Sequence, residues 1–355
     1  MVDSREQTIT IDQLVNDPHW MLWSYNIGAG LARFHYVDES LPPKLCFLAE
    51  QCPHIDVPLN TLLSQTFLYQ TRRDKPVHFV WMTDFCTSTL YARALHAIDG
   101  FYVYNENMIF AALAQAKRAI NFGAAPLGSA NLSDADWQKL LRIALFFQAK
   151  PFRAGDTVVV KEWPLSNFIL PDILAADERA KGIFLYAELE EYLIMALKDP
   201  RRRELARDRV SNYFVELHHV APFDQVDIER LDDSQVIALH WLYLMYLHRS
   251  YGLATHPRMR TLHNRLFVEQ PTETLTKTAE WFDRSLTQLD AEAIVSGPVF
   301  STHAKEPGKT FDFSGHWRQI AHNREVYRDE VDAGLRWSYS LVDSLGLTST
   351  LATPL

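Results

Sequence analysis

From residue 78 onward, short runs of apolar, β-branched and aromatic residues alternate with longer amphipathic stretches. Antiparallel strands can be joined by two-residue turns, whereas parallel strands need a crossover long enough to hold a helix. The spacing between the runs therefore predicts parallel strands joined by right-handed helical crossovers. The predicted strands are VHFVWM, FYVY, TVVVK, GIFLY and MRTLHN.

The segments between these runs carry the signals of helix ends. SDADWQKLLRIALFF begins with Ser133 and has Asp136 at capping-box spacing from it. DDSQVIALHWLYLMYLHRSYGL has Asp232 or Asp233 as its cap and Gly252 at its end. NENMIFAALAQAKRAI is a third such helix. We predict a three-layer α/β fold with a parallel sheet and a helical C-terminal half. Residues 1–75 form a mixed N-terminal lobe packed on a core of residues 76–341, and residues 342–355 form a flexible tail.

Composition narrows the classes of function. The 355 residues carry a formal net charge of −9, so the overall field repels nucleic acid and anionic membrane surfaces. Three cysteines, Cys46, Cys52 and Cys86, form no CxxC pair and no zinc-type cluster, which fits a reducing compartment and predicts no metal site. The N-terminus lacks the pattern of a signal peptide, so we expect a cytoplasmic protein without a membrane partner.

The segment of residues 78–95 has the form of an anion site. A strand leads into the turn TDFCTST, and a helix follows from Leu90. In open α/β sheets, ligands lie beyond the carboxyl ends of strands, where the next helix directs its free amides at an anion. Cys86, Thr87, Ser88, Thr89 and Leu90 are therefore predicted to bind a phosphate or sulfate group. The alternative is that Ser88 and Thr89 only cap the helix.

The stretch HFVWMTDFCTSTLYARAL resembles the 5′-phosphosulfate loop of the sulfotransferase superfamily. It is most similar to a mostly uncharacterised group of bacterial sulfotransferase-like P-loop proteins, in which an aromatic strand leads into a cysteine-containing Ser-Thr-Leu turn. Further segments match that group in the same order over roughly residues 30–335. They are YNENMIFAALAQAKR, VVVKEWPLSN, GIFLYAELEEYLIMALK, LHWLYLMYLHR and DAEAIVSGPVFSTHAK.

The resemblance implies a sulfotransferase-type P-loop fold. It also implies 3′-phosphoadenosine 5′-phosphosulfate as the sulfuryl donor and a hydroxyl or amine of a small molecule or glycan as the acceptor. The turn lacks the G-x-x-x-x-G-K-[ST] pattern of ATP-binding loops, which disfavours a kinase or nucleotide hydrolase.

The sequence departs from the family in its positive charges. Phe85 stands where the family loop carries a lysine or arginine, and Asp84 beside it would repel a phosphate unless it is paired or turned away. Lys161, at the end of a neighbouring strand, is the best substitute, and Arg93 on the loop's helix is another. The alternatives are a lysine that reaches solvent from a strand end and a solvated helix arginine.

The family's 3′-phosphate contacts are also altered. Ala187 and Met195 stand where an arginine and a serine are expected, with three glutamates between them. Replacement charge is expected from one of two places. One is the run PRRRELARDR, with Arg201, Arg202, Arg203, Arg207 and Arg209. The other is Lys305 and Lys309, of which Lys305 lies in a loop that resembles the one closing over the donor nucleotide. A basic run of this kind can equally be a solvated helix face.

Sulfuryl transfer also needs a base on the acceptor. Glu106 follows the strand FYVY, where some superfamily members keep a catalytic carboxylate, and His303 is the second candidate. Ser166 is expected to bind donor or acceptor, or to cap a helix. Cys86 sits at a helix N-terminus, where the pKa of a thiol falls, although a small buried cysteine is the simpler interpretation.

Two functions therefore remain open at this point. One is a sulfotransferase, and the other is a non-catalytic nucleotide-binding or scaffold protein on the same fold with a degenerate donor site. The acceptor and the oligomeric state are not encoded in any recognisable motif.

Overall fold

The computed structural model describes residues 9–39, 51–123, 132–303, 310, 312–348, 351–352 and 354–355. The N-terminal part contains a three-stranded antiparallel sheet of β1 (Trp20–Asn26), β2 (Leu31–Tyr36) and β3 (His54–Pro58), in that order. Short helices flank the sheet, namely α1 (Ile11–Asn16), α2 (Leu59–Ser64) and α3 (Phe67–Gln70).

A five-stranded sheet forms the centre of the described chain. Its strands are β4 (Val77–Met82), β5 (Phe101–Asn105), β6 (Thr157–Lys161), β7 (Gly182–Tyr186) and β8 (Met259–His263). They lie in the order β5-β6-β4-β7-β8, and every neighbouring pair is parallel. The five strands predicted from the apolar runs are thus confirmed, as is their parallel arrangement.

Helices cover both faces of this sheet. Along β4, Phe79 and Trp81 belong to one buried cluster and Val80 and Met82 to the other, as the two-residue period of a strand requires. The structure thus confirms the three-layer α/β architecture. The helices up to the middle of the chain are α4 (Ser88–His96), α5 (Ile109–Phe122), α6 (Asp134–Gln148), α7 (Leu170–Ala176), α8 (Leu189–Leu197) and α9 (Pro200–Leu217).

The C-terminal half is mainly helical, as predicted. Ser133 caps α6 by accepting a hydrogen bond from the amide of Asp136 at 3.1 Å, and Asp232, rather than Asp233, caps α10. The helices are α10 (Asp233–Ser250), α11 (Asn264–Glu269), α12 (Pro271–Trp281), α13 (Gln288–Ser296), α14 (Pro298–Ser301), α15 (Phe313–Val326) and α16 (Arg328–Leu345). No helix within the described ranges combines the length and the apolar content needed to cross a bilayer.

The connections place a crevice beside the central strand. Leu90 and Tyr91 of α4 pack in the cluster on one face of the sheet, whereas Tyr192 and Leu193 of α8 pack in the cluster on the other. The strands before these helices, β4 and β7, are neighbours. Two adjacent parallel strands whose helices leave to opposite faces open a crevice at their carboxyl ends, which is where ligands bind in such sheets.

The N-terminal sheet is joined to the core by a buried lysine. The ammonium of Lys150 donates to the carbonyls of Leu14, Asp17 and Trp20 at 2.6–2.7 Å. Gln148 adds a bond of 2.7 Å to the carbonyl of Leu22. Because all three ammonium donors are used, the end of α6 holds α1 and β1 in one geometry.

The C-terminal residues lie along β8. Helix α16 continues to Leu345, and the amide of Leu355 then donates to the carbonyl of Thr261 at 2.9 Å. The amide of Leu351 donates to the Tyr186 hydroxyl at 3.1 Å. The division into segments 1–75, 76–341 and 342–355 stays a prediction.

One glycine in the sheet is required for close packing. A Cβ at Gly182 would lie 2.3 Å from the Trp81 ring and 2.6 Å from the Met259 sulfur. We expect Gly182→Ala to lower the free energy of unfolding by roughly 1–3 kcal/mol, because overpacking displaces both side chains. Urea denaturation measures it.

The matched control is Trp81→Phe combined with Gly182→Ala. The smaller ring makes room for the methyl group, so the combined loss should be less than the sum of the two single losses. Strict additivity would contradict the proposed clash.

Candidate functional site

The turn between β4 and α4 adopts a costly backbone conformation. Phe85 and Thr87 both have φ of 60°, in the left-handed region that β-branched and bulky residues avoid. Each costs about 1–3 kcal/mol. The Cys86 thiol donates to the carbonyl of Thr83 at 2.7 Å, and the Thr87 hydroxyl donates to the carbonyl of Cys86 at 2.6 Å. These bonds hold the turn in its bent form.

The bent turn leaves a series of backbone amides without acceptors. Within the described ranges, the amides of residues 85–89 donate to no protein group. Ser88 and Thr89 open the first turn of α4, whose dipole adds positive potential there. Successive amides in such a conformation form a concave nest for an anion. The structure therefore places together Cys86, Thr87, Ser88, Thr89 and Leu90, all of which line one cavity.

That cavity has a volume of about 540 Å³. Besides the turn, it is bounded by the ends of β5 and β6, by the junction of α8 and α9, and by residues 302–303, 310, 312, 315–316 and 319. A volume of this size suits a ligand as large as a nucleotide. The lining residues outside the turn that matter below are Glu106, Trp163, Met195, Lys198, Arg202, Arg209, Thr302, His303, Asp312 and His316.

Glu106 and Lys161 form an ion pair at the rim of the sheet. Glu106 directly follows β5, and Lys161 is the last residue of the neighbouring strand β6. The Lys161 ammonium contacts the Glu106 carboxylate. Lys161 is fully buried, whereas Glu106 keeps 17% of its side chain exposed and lines the cavity. Glu106 also has a φ of 55°, and its carbonyl accepts a bond of 2.7 Å from the Trp163 indole. Two predicted catalytic residues thus meet.

Two arginines of α9 face the turn. The Arg209 guanidinium lies 3.8 Å from the Asp84 carboxylate and 4.4 Å above the Trp163 ring. The Arg202 guanidinium lies 5.1 Å above the Phe85 ring and donates to the carbonyl of Met195 at 2.7 Å. Asp84 is therefore paired, and its charge is offset at the site where an anion would bind.

The basic run is divided between the cavity and solvent. Arg201 is exposed, and Arg203 and Arg207 pair with carboxylates on other helices. Arg202 and Arg209 are the members that line the cavity, joined by Lys198 at the end of α8. The interpretation of the run as a solvated helix face is thus right for some members and wrong for these two.

The opposite wall comes from the segment around α14 and α15. The Arg93 guanidinium donates to the carbonyl and hydroxyl of Thr302 at 3.2 and 2.9 Å, which fixes the residue before His303. Burial, together with the positive charges of Lys198 and Arg202, lowers the pKa of His316 to about 4. His316 is therefore a neutral imidazole at pH 7.

Other predicted residues are placed differently. Ser166 is fully buried, its hydroxyl donates to the carbonyl of Trp163 at 2.7 Å, and it does not belong to the cavity lining as described. Arg93 reaches the cavity wall through Thr302. Lys305 lies outside the described residues.

The thiol of Cys86 is the opposite of an activated nucleophile. Burial raises its pKa to about 12, outweighing the nearby Lys161 charge and the bonds to Thr83 and Ser88. The expected lowering by the helix N-terminus is wrong for this thiol, because desolvation of the thiolate dominates. Cys86 is a structural residue that stabilises the turn.

Four cavity residues were missed as site residues or left undecided from sequence, namely Lys198, Arg202, Arg209 and His316. A signal was present for the two arginines. Arg202, Leu205 and Arg209 of α9 recur every three or four residues and all line the cavity, which is the period of one face of that helix. His316 carries no such signal, since Asp312 and Gln319 on its face are common surface residues.

Comparisons with known proteins give a structural likeness only. No protein-family model matches the chain, and no curated protein does. Among solved structures it is similar to the sulfotransferase domain from the curacin biosynthetic pathway, with 13% identity and a TM-score of 0.42, covering 76% of this chain and 98% of that one.

Two further structures are similar to the same degree. The sulfotransferase STF9 from Mycobacterium avium has 11% identity and a TM-score of 0.38, covering 75% of this chain and 80% of that one. The sulfotransferase domain of the Synechococcus PCC 7002 olefin synthase has 15% identity and a TM-score of 0.39, covering 73% and 97%. With scores this low, the fold assignment rests on the strand order and register described above.

The ion pair at the rim can be tested by charge removal. Glu106→Gln leaves the buried Lys161 ammonium without its carboxylate, so we expect the free energy of unfolding to fall by roughly 2–4 kcal/mol. Lys161→Met with Glu106→Gln removes both charges and should cost less than Glu106→Gln alone. Urea denaturation of both variants checks this order, and a double variant less stable than the single one would contradict it.

The thiol prediction concerns reactivity. At pH 8, a pKa near 12 leaves Cys86 almost entirely protonated, so alkylation by iodoacetamide should be at least about a hundredfold slower in the native protein than in urea. Mass spectrometry of the peptide containing Cys86 measures both rates. Equal rates would show that the turn is open in solution.

Proposed function

We propose that the protein binds 3′-phosphoadenosine 5′-phosphosulfate and transfers its sulfuryl group to a hydroxyl or amine of a small molecule or glycan. The observation that carries the proposal is the turn of residues 83–89. Its consecutive free amides, positive-φ residues and helix N-terminus face a cavity of nucleotide size. The resemblance of HFVWMTDFCTSTLYARAL to a phosphosulfate loop supports the same assignment.

The residues present fit such a donor. The amides of residues 85–89 and the hydroxyls of Ser88 and Thr89 suit its phosphosulfate end. Lys198 and Arg202 line the same cavity beside Met195 and suit a second phosphate. They thus offer the positive charge that Ala187 and Met195 do not. When bound, the donor supplies an activated sulfuryl group on a phosphate leaving group.

The chain's own contribution is positioning and charge. Arg209, braced by Asp84 and Trp163, can stabilise charge that develops on the leaving oxygens. The acceptor proton passes to a base on the rim, either the Glu106 carboxylate or the His303 imidazole. The Glu106 carboxylate is engaged by the Lys161 ammonium, whereas His303 offers an imidazole, the side chain most often used as a general base.

The second candidate function is a nucleotide-binding protein without catalysis. The observation in its favour is that Lys161, the sequence candidate for the loop's missing cation, is committed to Glu106. The two functions differ in donor turnover. Release of adenosine 3′,5′-bisphosphate from the donor in the presence of mixed hydroxyl and amine acceptors would support the enzyme, and tight binding without release would support the alternative.

Donor recognition is tested by calorimetry with adenosine 3′,5′-bisphosphate. We expect saturable binding to the unaltered protein and a dissociation constant at least about tenfold higher in Arg202→Ala, because a charge-assisted bond contributes about 1.5–3 kcal/mol. Arg201→Ala is the matched control, since this adjacent arginine is exposed and should leave affinity within about twofold.

Two outcomes would contradict the proposal. One is the absence of binding by the bisphosphate to the unaltered protein. The other is magnesium-dependent binding of ATP in its place, which would indicate a kinase or hydrolase despite the missing loop lysine.

A further inference from the structure

A second cavity lies at the amino ends of β4 and β7, at the opposite end of these strands from the first cavity. It has a volume of about 150 Å³ and is formed by residues 69–75, which lead into β4, by the end of α6 and by residues 176–179, which lead into β7. Five basic side chains line it, with Asp177 as the acidic lining residue: Arg72, Arg73, Lys75, Arg142 and Arg179. Such a concentration is notable in a chain of net charge −9.

Carboxylates neutralise two of these five cations. Arg179 forms a two-point contact with Asp177 at 3.0 and 2.9 Å. Arg72 lies 3.3 Å from Glu178 at the surface. For Arg73, Lys75 and Arg142, by contrast, no carboxylate of the described chain lies within 4.0 Å. Three positive charges therefore share the cavity without a matching acid.

Arg73 is held in place while part of its guanidinium stays available. Its Nε and Nη2 donate to the carbonyls of Phe146 and Val15 at 3.4 and 2.8 Å, and the group lies 4.2 Å above the Phe146 ring. Within the described residues, Nη1 donates to no protein group. Burying a cation without a counter-ion costs free energy that a bound anion would recover.

We infer that this cavity binds a compact oxyanion of the phosphate or sulfate type, either free or as the terminal group of a larger molecule. Its volume suits such a group but not a nucleotide. Arg73 and Arg142 supply directed guanidinium donors, and Lys75, whose ammonium donates to the carbonyl of Gly155, adds positive charge beside them. The site lies at the amino end of the strands, so it is separate from the cavity at their carboxyl end and does not depend on the proposed function.

Binding there would also stabilise the fold. Through its bond to Val15, Arg73 connects the cavity to α1, and through Phe146 it connects to α6. An anion that contacts Arg73 and Arg142 would join these segments to the strand entering the sheet. Ligands that bind only the native state raise the melting temperature by mass action.

The test is thermal unfolding and calorimetry with sodium sulfate and sodium phosphate, compared with sodium chloride at equal ionic strength. We expect a saturable rise in melting temperature with the oxyanions alone. Arg142→Gln should raise the dissociation constant at least fivefold, because it removes a guanidinium that lines the cavity. Arg142 is exposed on α6 and its side chain bonds to no other group of the described chain, so the fold should not change. The matched control is Arg336→Gln, an exposed arginine on α16, which should behave as the unaltered protein.

Arg202→Ala separates this site from the first cavity. If Arg202→Ala removes the response and Arg142→Gln preserves it, sulfate binds at the first cavity and the inference is wrong, while the proposed function stands. An equal rise in melting temperature with sodium chloride would also contradict the inference. Methyl phosphate then separates the two sources: binding equal to that of inorganic phosphate indicates the end group of a larger molecule, and much weaker binding indicates the free ion.

Discussion

The left-handed turn after the central strand is the constraint on which the site depends. Phe85 and Thr87 hold a conformation that side chains of their type avoid, and the buried Cys86 thiol fixes it by a bond to Thr83. Without that bend, the amides of residues 85–89 would enter ordinary helical bonds and no longer converge. The crevice between β4 and β7 leaves room for a ligand beside these amides. The sheet topology and the strained turn therefore shape the same part of the molecule.

Two aromatic rings help to position the arginines of the site. Arg202 lies over Phe85 and Arg209 over Trp163, so each guanidinium contacts a ring within the wall of the cavity. Such contacts add to the ion pairs of these arginines, which join Arg209 to Asp84 at 3.8 Å and Arg202 to Asp199 at 4.0 Å. Phe85 therefore contributes to the site through its ring, over which the Arg202 guanidinium lies.

The sequence allowed much of the fold to be predicted, because its signals are local. The apolar runs of the strands and the caps Ser133 and Asp232 depend on residues a few positions apart. The turn was found for the same reason. The cationic wall was not resolved, because Arg202 and Arg209 reach Asp84 and Phe85 across more than a hundred residues of chain. For Cys86 a buried thiol was the simpler interpretation from sequence, but only the structure shows that burial outweighs the helix N-terminus and raises its pKa.

The anchoring of α6 through Lys150 limits how far the molecule can be shortened. A fragment starting at the central sheet would keep the ammonium but lose the carbonyls of Leu14, Asp17 and Trp20 that surround it. Water would then replace the three carbonyls, and the bonds that tie the end of α6 to α1 and β1 would be lost. Residues before the central sheet therefore contribute to the stability of its core, and a chain cut just before Val77 should unfold more easily than the whole one.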